Sequence, residues 1–290
     1  MILREEKMTY SQWLSAQFTF RVQKISVDAG FTCPNRDGKV GTGGCTFCNN
    51  LSFNPRYCDS KKSIRQQLEE GKRFFARKYP EMKYLAYFQA YSNTYAPLET
   101  LRRRYEEALE TEDVVGLVIA TRPDCADKDT LDYLGKLAKE TFLVVEYGVE
   151  TANDETLRRI NRGHTFAQAQ RAIRESAERG ITTSAHVILG LPGEDREESI
   201  RQAPIISRLP ITLLKLHQLQ IVRGTRLAKQ YAEHPFPLYS LEDYLQLVKD
   251  YTALLRPDII IERYISQTPD HLLIAPRWGI KNHEFADMLR

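Results

Sequence analysis

The sequence predicts an α/β protein built around a parallel sheet, and specifically a complete or partial β/α barrel. Seven apolar runs with the length of strands alternate with polar segments that have helical periodicity. This alternation is typical of βαβ units, in which crossover helices cover a parallel sheet. Six or seven such units in 290 residues favour a barrel, and a doubly wound open sheet remains the alternative.

The predicted elements follow one another at regular spacing. The strands are predicted at 21–30, 84–91, 114–122, 142–150, 182–190, 212–220 and 258–266. The helices are predicted at 61–79, 98–112, 128–140, 154–180 with a break near Gly163, 195–208 and 241–255. We therefore expect a partial barrel of the (β/α)6 type with an extra C-terminal strand and helices. The expected division is an N-terminal extension (1–20), the barrel (21–225) and a C-terminal extension packed on it (226–290).

Composition limits the class of protein. The chain is 42% hydrophobic and 27% charged, which is typical of a globular protein with a substantial core. Its longest apolar runs have strand length, so we expect no membrane span. The N-terminus lacks the apolar stretch of a secretory signal, so we expect the cytoplasm. Thiols stay reduced there, and the five cysteines therefore favour metal binding or catalysis over disulfides.

Polar residues gather at the C-terminal ends of the predicted strands, where β/α barrels carry their chemistry. These positions include the cysteine loop, "QAYSNTY" (89–95), "TRPDC" (121–125), Glu146 and Glu150, His186, and the group His217, Gln218 and Gln220. A barrel interior tolerates such groups only if they are paired or used. A single polar strand end can be a helix cap, but six together predict a site.

Three cysteines, Cys33, Cys45 and Cys48, share the glycine-rich loop "FTCPNRDGKVGTGGCTFCNN" (31–50). One interpretation is a structural zinc site in which Cys58 is the fourth ligand, since CxxC pairs commonly bind zinc. A redox pair of Cys45 and Cys48 is another, although it leaves Cys33 unexplained. The third interpretation is a [4Fe–4S] cluster with one open iron, whose sulfides accept hydrogen bonds from the amides of a flexible glycine loop.

Several segments together resemble one family. They are "KISVDAGFTCPNRDGKVGTGGCTFC" (24–48), "TRPDC", "VEYGVET" (145–151), "RINRGHT" (159–165) and "HVILGLPGE" (186–194). The chain resembles the radical S-adenosylmethionine (SAM) enzymes, most closely the bacterial YhcC/YtqA (MnmL) type. It is more distantly similar to the radical half of the Elongator catalytic subunit. The long gap between the first two cysteines departs from the commonest spacing of the superfamily and fits the Elongator-like branch.

The resemblance implies a set of cofactor-binding residues. Cys33, Cys45 and Cys48 would hold the [4Fe–4S] cluster, whose open iron chelates SAM. The SAM contacts implied by the family's motifs fall on Gln89, Tyr91, Thr121, Glu150, Arg162, His186, Gly190, Leu191 and Pro192. Within this set, Glu150 would bind ribose hydroxyls, Arg162 would pair with the SAM carboxylate, and Gly190 to Pro192 would flank adenine. The segment near Gln89 lacks the Gly-Gly-Glu of many relatives.

The resemblance also implies a reaction. An electron from a reductase or a ferredoxin- or flavodoxin-type donor would cleave SAM, and the resulting 5′-deoxyadenosyl radical would take a hydrogen atom from the substrate. The implied substrate is the wobble uridine in the anticodon loop of tRNA, with or without a 2-thio group. Its 5-carboxymethylaminomethyl substituent would become 5-aminomethyl. No catalytic residue beyond the cofactor ligands is assigned.

Basic and aromatic segments are compatible with RNA binding, because arginines neutralise phosphates and aromatic rings stack on unpaired bases. The arginines singled out are Arg102, Arg103, Arg104, Arg223 and Arg226, and the aromatic segments are 9–21 and 275–285. Ordinary solvated helix faces are the alternative for any one basic run. A radical SAM enzyme acting on a small molecule, or a zinc-stabilised RNA-binding module, remains an alternative function.

Overall fold

The computed structural model describes residues 7–76 and 81–290, and its central feature is a parallel sheet of seven strands. The strands of the protein are β1 (Arg21–Val27), β2 (Met82–Phe88), β3 (Val114–Thr121), β4 (Phe142–Glu150), β5 (Thr182–Leu189), β6 (Leu213–Gln218), β7 (Ile221–Val222), β8 (Ile260–Arg263) and β9 (Leu273–Ala275). Strands β1 to β6 and then β8 pair in chain order, and the sheet curls into a partial barrel. The predicted barrel is confirmed, and the doubly wound alternative is wrong because the strand order never reverses.

Ten α-helices accompany this sheet among the described residues, and the crossover helices between its strands cover the outer face. The ten helices are α1 (Tyr10–Gln17), α2 (Ile64–Ala76), α3 (Leu98–Leu109), α4 (Lys128–Leu137), α5 (Asp154–Arg159), α6 (Phe166–Glu178), α7 (Arg196–Ser207), α8 (Arg226–Glu233), α9 (Leu241–Ala253) and α10 (Asn282–Met288). Each predicted helix is present; α3, α4, α5 and α9 begin at the predicted residue, and α3, α4, α6, α7 and α9 end one to three residues earlier than predicted. Residues 77–79 of the first predicted helix and 1–6 of the predicted extension lie outside the described residues. The prediction omitted α1, α8, α10 and the small antiparallel pair of β7 and β9.

The break predicted near Gly163 separates α5 from α6 and shapes the site. Gly163 has a φ of 79°, a left-handed conformation that glycine adopts without a steric penalty. Two residues later, Thr165 is the N-cap of α6 and forms a capping box, in which its side chain accepts from the Gln168 amide and the Gln168 side chain accepts from the Thr165 amide. The chain therefore turns sharply between the helices, and Arg162 lies at that turn.

The N-terminal aromatic segment packs inside the barrel. Trp13 on α1 is buried and belongs to an inner core with Tyr87, Val144 and Leu213. Its ring centroid lies 5.7 Å from that of Phe142, the first residue of β4, so α1 covers the N-terminal end of the barrel. Trp13 is therefore not available to stack on RNA bases, contrary to the expectation for this segment.

The C-terminal residues complete the sheet and cover its last crossover. Strand β8 pairs with β6 at the edge of the sheet, and α9 packs on α7. Tyr244 of α9 is fully buried, with the rings of Trp278 and Phe285 at centroid distances of 5.1 and 5.6 Å. The division into an extension, a barrel and a second extension stays a prediction. No helix among the described residues is long and apolar enough to cross a membrane.

Candidate active site

One cavity opens at the C-terminal ends of the barrel strands, and the cysteine loop forms part of its wall. Its lining includes nine residues singled out in the sequence: Cys33, Cys45, Cys48, Gln89, Tyr91, Thr121, Glu150, Arg162 and His186. These residues come from five different strand ends and the α5–α6 turn. The structure thus brings them together, while their roles in cofactor binding stay a prediction.

Hydrogen bonds fold the cysteine loop against the α5–α6 turn. The Asn35 side chain donates to the carbonyl of Asn161, and the Thr46 amide donates to the carbonyl of Ile160 at 2.9 Å. Gly44 has a φ of 75°, and the Arg226 guanidinium donates to its carbonyl at 2.8 Å. The loop conformation is therefore fixed by backbone contacts and does not depend on its thiols alone.

Two guanidinium groups face the thiols. Arg162 Nη1 donates to Cys45 Sγ at 3.4 Å, and Arg36 lies beside Cys48. Burial raises the pKa of the Cys48 thiol, as does its neighbour Cys45, while Arg36 and Arg162 oppose that rise. Cationic neighbours favour the thiolate, which is the form that binds iron.

The other two cysteines do not join this group. Cys58 donates its thiol proton to the carbonyl of Ser26 at 2.9 Å, and burial raises its pKa to about 12. Cys125 is buried, and burial and Asp124 raise its pKa to about 12. Among residues 7–76 and 81–290, no three His, Cys, Asp or Glu side chains are placed to hold a single metal ion. The structure therefore removes the proposed fourth ligand, Cys58, from the zinc interpretation.

The donor set fits an iron–sulfur cluster. The three thiols on this loop are free and line one cavity. Thr46 follows Cys45 in the sequence, and its Oγ1 is buried without a hydrogen-bond partner among the described residues. A buried hydroxyl without a partner is costly, and a cluster sulfide would be a suitable acceptor for it.

Glu150 and Arg162 form an ion pair beside the cysteines. Arg162 Nη2 lies 3.2 Å from Glu150 Oε1 and donates to the Gly148 carbonyl at 2.7 Å. A Cβ atom at Gly148 would lie 2.4 Å from Arg162 Nη2 and 2.6 Å from Glu150 Oε1, so a larger residue there would have to displace the pair. Arg162 Nε also donates to His164 Nε2 at 2.9 Å. Burial and the neighbouring Arg162 lower the pKa of His164 to about 3, which keeps it a neutral acceptor.

Three further predicted residues line the same cavity. Gln89 accepts from Ser26 Oγ at 3.0 Å, and the Thr121 hydroxyl lies 2.6 Å from that of Thr94. Tyr91 has a φ of 62°, and its ring lies 5.7 Å from the Arg36 guanidinium. A left-handed conformation at a non-glycine residue is strained and is often found at functional sites.

The predicted adenine-flanking segment lies at a neighbouring cavity. Gly190, Leu191 and Pro192 line a second cavity, which shares Gln218 and Leu219 with the first. Gly190 has a φ of 84°, and a Cβ there would lie 2.9 Å from the Tyr239 ring. The structure therefore does not place this segment among the residues around the cysteines.

The predicted RNA-binding arginines separate into two groups. Arg102, Arg103 and Arg104 lie on α3, outside the barrel, and none lines the cavity of the cysteine loop. Arg102 lies 5.0 Å from the Tyr133 ring, and Arg104 is 3.6 Å from Glu107.

The second group, Arg223 and Arg226, is exposed and follows β7, whose Val222 lines the cavity. Arg223 Nε donates to the His271 carbonyl at 3.1 Å. Because Arg226 also contacts Gly44 of the cysteine loop, its side chain has a structural contact as well as an exposed position.

A buried ionic network lies inside the barrel and was not predicted as a unit. Glu146, whose side chain is 0% exposed, lies 2.9 Å from Lys24 Nζ and 2.5 Å from Lys215 Nζ. Glu262 lies 2.6 and 3.0 Å from the same two ammonium groups. Burial alone would raise the pKa of Glu146, but Lys215 and Lys24 hold it well below its usual range. The available signal was a lysine within each of the apolar runs "RVQKISV" and "LLKLHQ".

Two protein-family models together match most of the chain. Residues 36–201 match the Radical SAM superfamily, and residues 211–290 match the Radical_SAM C-terminal domain. YtqA of Bacillus subtilis (strain 168) is 38% identical over 276 residues, which cover 95% of this chain and 86% of YtqA.

More distant similarity extends to proteins that act on tRNA. A tRNA uridine(34) acetyltransferase of Dehalococcoides mccartyi is 28% identical over 171 residues, which cover 58% of this chain and 36% of that protein. The solved structure of the archaeal Methanocaldococcus infernus Elp3, with an N-terminal deletion, superposes with a TM-score of 0.66 and 16% identity. The match covers 92% of this chain and 61% of the Elp3 chain, and at this identity it shows a shared fold alone.

Proposed function

Because the chain belongs to the radical SAM superfamily, and is therefore a radical SAM enzyme, we propose that it modifies the wobble uridine of tRNA. The resemblance to the YhcC/YtqA type is confirmed. The proposed reaction converts 5-carboxymethylaminomethyluridine, with or without a 2-thio group, to the 5-aminomethyl form. The carboxymethyl group would leave as glyoxylate, with water as the source of its carbonyl oxygen and with SAM, which ends as methionine and 5′-deoxyadenosine, as the two-electron oxidant. The observation that carries the proposal is the joint presence of the three-cysteine loop and similarity to a tRNA uridine(34) acetyltransferase over 58% of the chain.

Family membership implies SAM and an iron–sulfur cluster. In our proposal Cys33, Cys45 and Cys48 hold a [4Fe–4S] cluster, with SAM bound near Glu150 and Arg162. When bound, this pair of cofactors supplies the electron transfer and the radical that takes hydrogen from the substrate. The protein residues hold the loop in shape and provide cations beside the thiolates.

The fold offers a place for an extruded nucleotide. An enzyme that acts on a base within a folded RNA must take the base out of its stack and into a pocket. The cavity opens at the strand ends, and the exposed side chain of Arg223 lies beside its wall, where it can contact phosphates. A reductase or a ferredoxin- or flavodoxin-type protein is the proposed source of electrons.

Nucleoside mass spectrometry tests the proposal directly. Hypomodified tRNA is incubated anaerobically with the protein, SAM and a reductant, and digested nucleosides are compared with those of a Cys45→Ala control. We expect 5-carboxymethylaminomethyluridine to decrease and 5-aminomethyluridine to increase only with the wild-type protein. Cleavage of SAM with no change in any tRNA nucleoside would contradict the tRNA function and favour a small-molecule substrate.

A further inference from the structure

We propose that Arg263, together with His217, forms a subsite in the main cavity that binds a carboxylate group of the substrate. This subsite rests on the proposed function, because the carboxylate that it would bind belongs to the proposed substrate. It concerns residues at the end of β8 and on β6, away from the cysteine loop in sequence.

The arginines that line the cavity differ in whether they have an ionic partner. Among the described residues four arginines do so, and three have an anionic or sulfur partner. Arg122 makes two hydrogen bonds to the Asp124 carboxylate, Arg162 pairs with Glu150, and Arg36 lies beside Cys48. Arg263 is the exception.

Arg263 has hydrogen-bonding capacity that the described chain does not use. Its Nη2 contacts His217 Nε2, which is an uncharged partner in this setting, since burial and Arg263 itself hold the pKa of His217 well below its usual range. Its Nε is buried and has no hydrogen-bond partner among residues 7–76 and 81–290. A guanidinium cannot lose its proton in a protein, so an unpaired one in a partly buried wall carries a desolvation cost.

The neighbouring ionic network does not compensate for this charge. Glu146 and Glu262 are the two carboxylates of this network, and each already contacts both Lys24 and Lys215. Neither carboxylate is within ion-pair distance of Arg263 among the described residues. The interior at this point therefore has three cationic side chains and two anionic ones, and the excess cation is the one that lines the cavity.

Two glutamines of the same wall are already held by hydrogen bonds. Gln218 accepts from the Ser266 amide at 2.8 Å and donates to its carbonyl at 3.0 Å. Gln220 accepts from the Thr268 hydroxyl at 2.8 Å. These pairs join the end of β6 to the segment after β8, so the position of Arg263 is supported on both sides. A planar guanidinium held in place matches the two oxygen atoms of a carboxylate.

Two carboxylates would be available in the cavity: that of the C5 substituent of the proposed substrate and that of SAM. We assign Arg263 to the substrate. The experiment compares binding of the free nucleoside 5-carboxymethylaminomethyluridine with that of its uncharged carboxamide, using the SAM-loaded, cluster-containing protein. SAM affinity is measured separately on each protein.

We expect wild type to bind the carboxylate nucleoside about 10- to 100-fold more tightly than the carboxamide, as a charge-assisted contact provides. Arg263→Gln should bring this ratio close to one without changing SAM affinity. Arg171→Gln, an exposed substitution on α6, should keep the wild-type ratio. If Arg263→Gln does not fold, Arg263→Lys replaces it, and it should retain part of the preference because the charge remains and the planar fork is lost.

Other results would overturn the assignment. A wild-type ratio near one, or a full ratio in Arg263→Gln, means that the cation does not read the substrate carboxylate. Loss of SAM affinity in Arg263→Gln assigns it to the SAM carboxylate. The proposed function fails separately: a protein that prefers the carboxylate nucleoside but leaves tRNA nucleosides unchanged keeps the subsite and loses the tRNA substrate. Turnover of tRNA by a protein without any carboxylate preference keeps the tRNA function and rules out the subsite.

Discussion

Glu146 is the centre of the buried network, and its replacement tests whether that network stabilises the fold. In Glu146→Gln the two lysines lose one of the two carboxylates that each contacts, while both remain inside the barrel. The lysine side chains are 17% and 3% exposed, so water cannot replace the lost carboxylate efficiently. Removing one member of a buried ion pair costs about 3–5 kcal/mol. We expect the free energy of unfolding to fall by that amount.

Urea unfolding at neutral pH measures this change. Glu155→Gln is the matched control, because Glu155 is 69% exposed and its ion pair with Arg159 lies on the surface. Exposed pairs contribute about 0–1 kcal/mol, so the control should unfold almost as wild type does. The double variant Glu146→Gln/Lys215→Met should recover part of the loss, because it also removes a buried cation. Equal stabilities for Glu146→Gln and Glu155→Gln would refute the reasoning.

The same carboxylate predicts a pH dependence. Its pKa in the folded protein is held well below the usual range, whereas the pKa of a glutamate in the unfolded chain is about 4.3. The folded state therefore binds fewer protons, and the stabilisation is fully present above the unfolded pKa and is lost as the pH falls below it. The stability difference between wild type and Glu146→Gln should therefore shrink as the pH falls below about 5.

Three other predictions concern the cavity and its rim. Cys45→Ala should abolish iron loading and SAM cleavage, whereas Cys58→Ala should keep both, as iron analysis of reconstituted protein will show; equal iron contents would contradict the ligand assignment. Gly148→Ala should weaken SAM binding by about 1.5–3 kcal/mol, because its Cβ displaces the ion pair beside it, and unchanged affinity in calorimetry would place SAM elsewhere. Arg223→Gln should reduce the slope of log tRNA affinity against log salt by roughly 0.7–0.9, while Arg103→Gln, on the outer helix, should leave it unchanged. An equal slope for both variants in a salt titration would assign Arg223 to ordinary solvation.

The sequence alone determined the architecture, because the alternation of strand-length apolar runs with helical segments is a local property. All seven strands of the sheet were predicted. The end of β4 was predicted at the correct residue, and the other six ends were overestimated by one to three residues because the polar site segments continue the runs. The cysteine loop was equally visible, since three cysteines share the 16 residues from Cys33 to Cys48. The short elements α1, α8 and α10 were not predicted, since their formation depends on packing more than on periodicity.

Only the tertiary structure decided which residues meet. Cys58 follows the cysteine loop closely in sequence, yet its thiol donates a hydrogen bond to the β1 backbone. Glu150 and Arg162, for which separate contacts to SAM were predicted, pair with each other. The partners in the ionic network are as far apart as Lys24 and Glu262, 238 positions along the chain. Such pairs leave no periodic trace in the sequence, because the curvature of the sheet, and not the local pattern, brings the interior faces of β1, β4, β6 and β8 together.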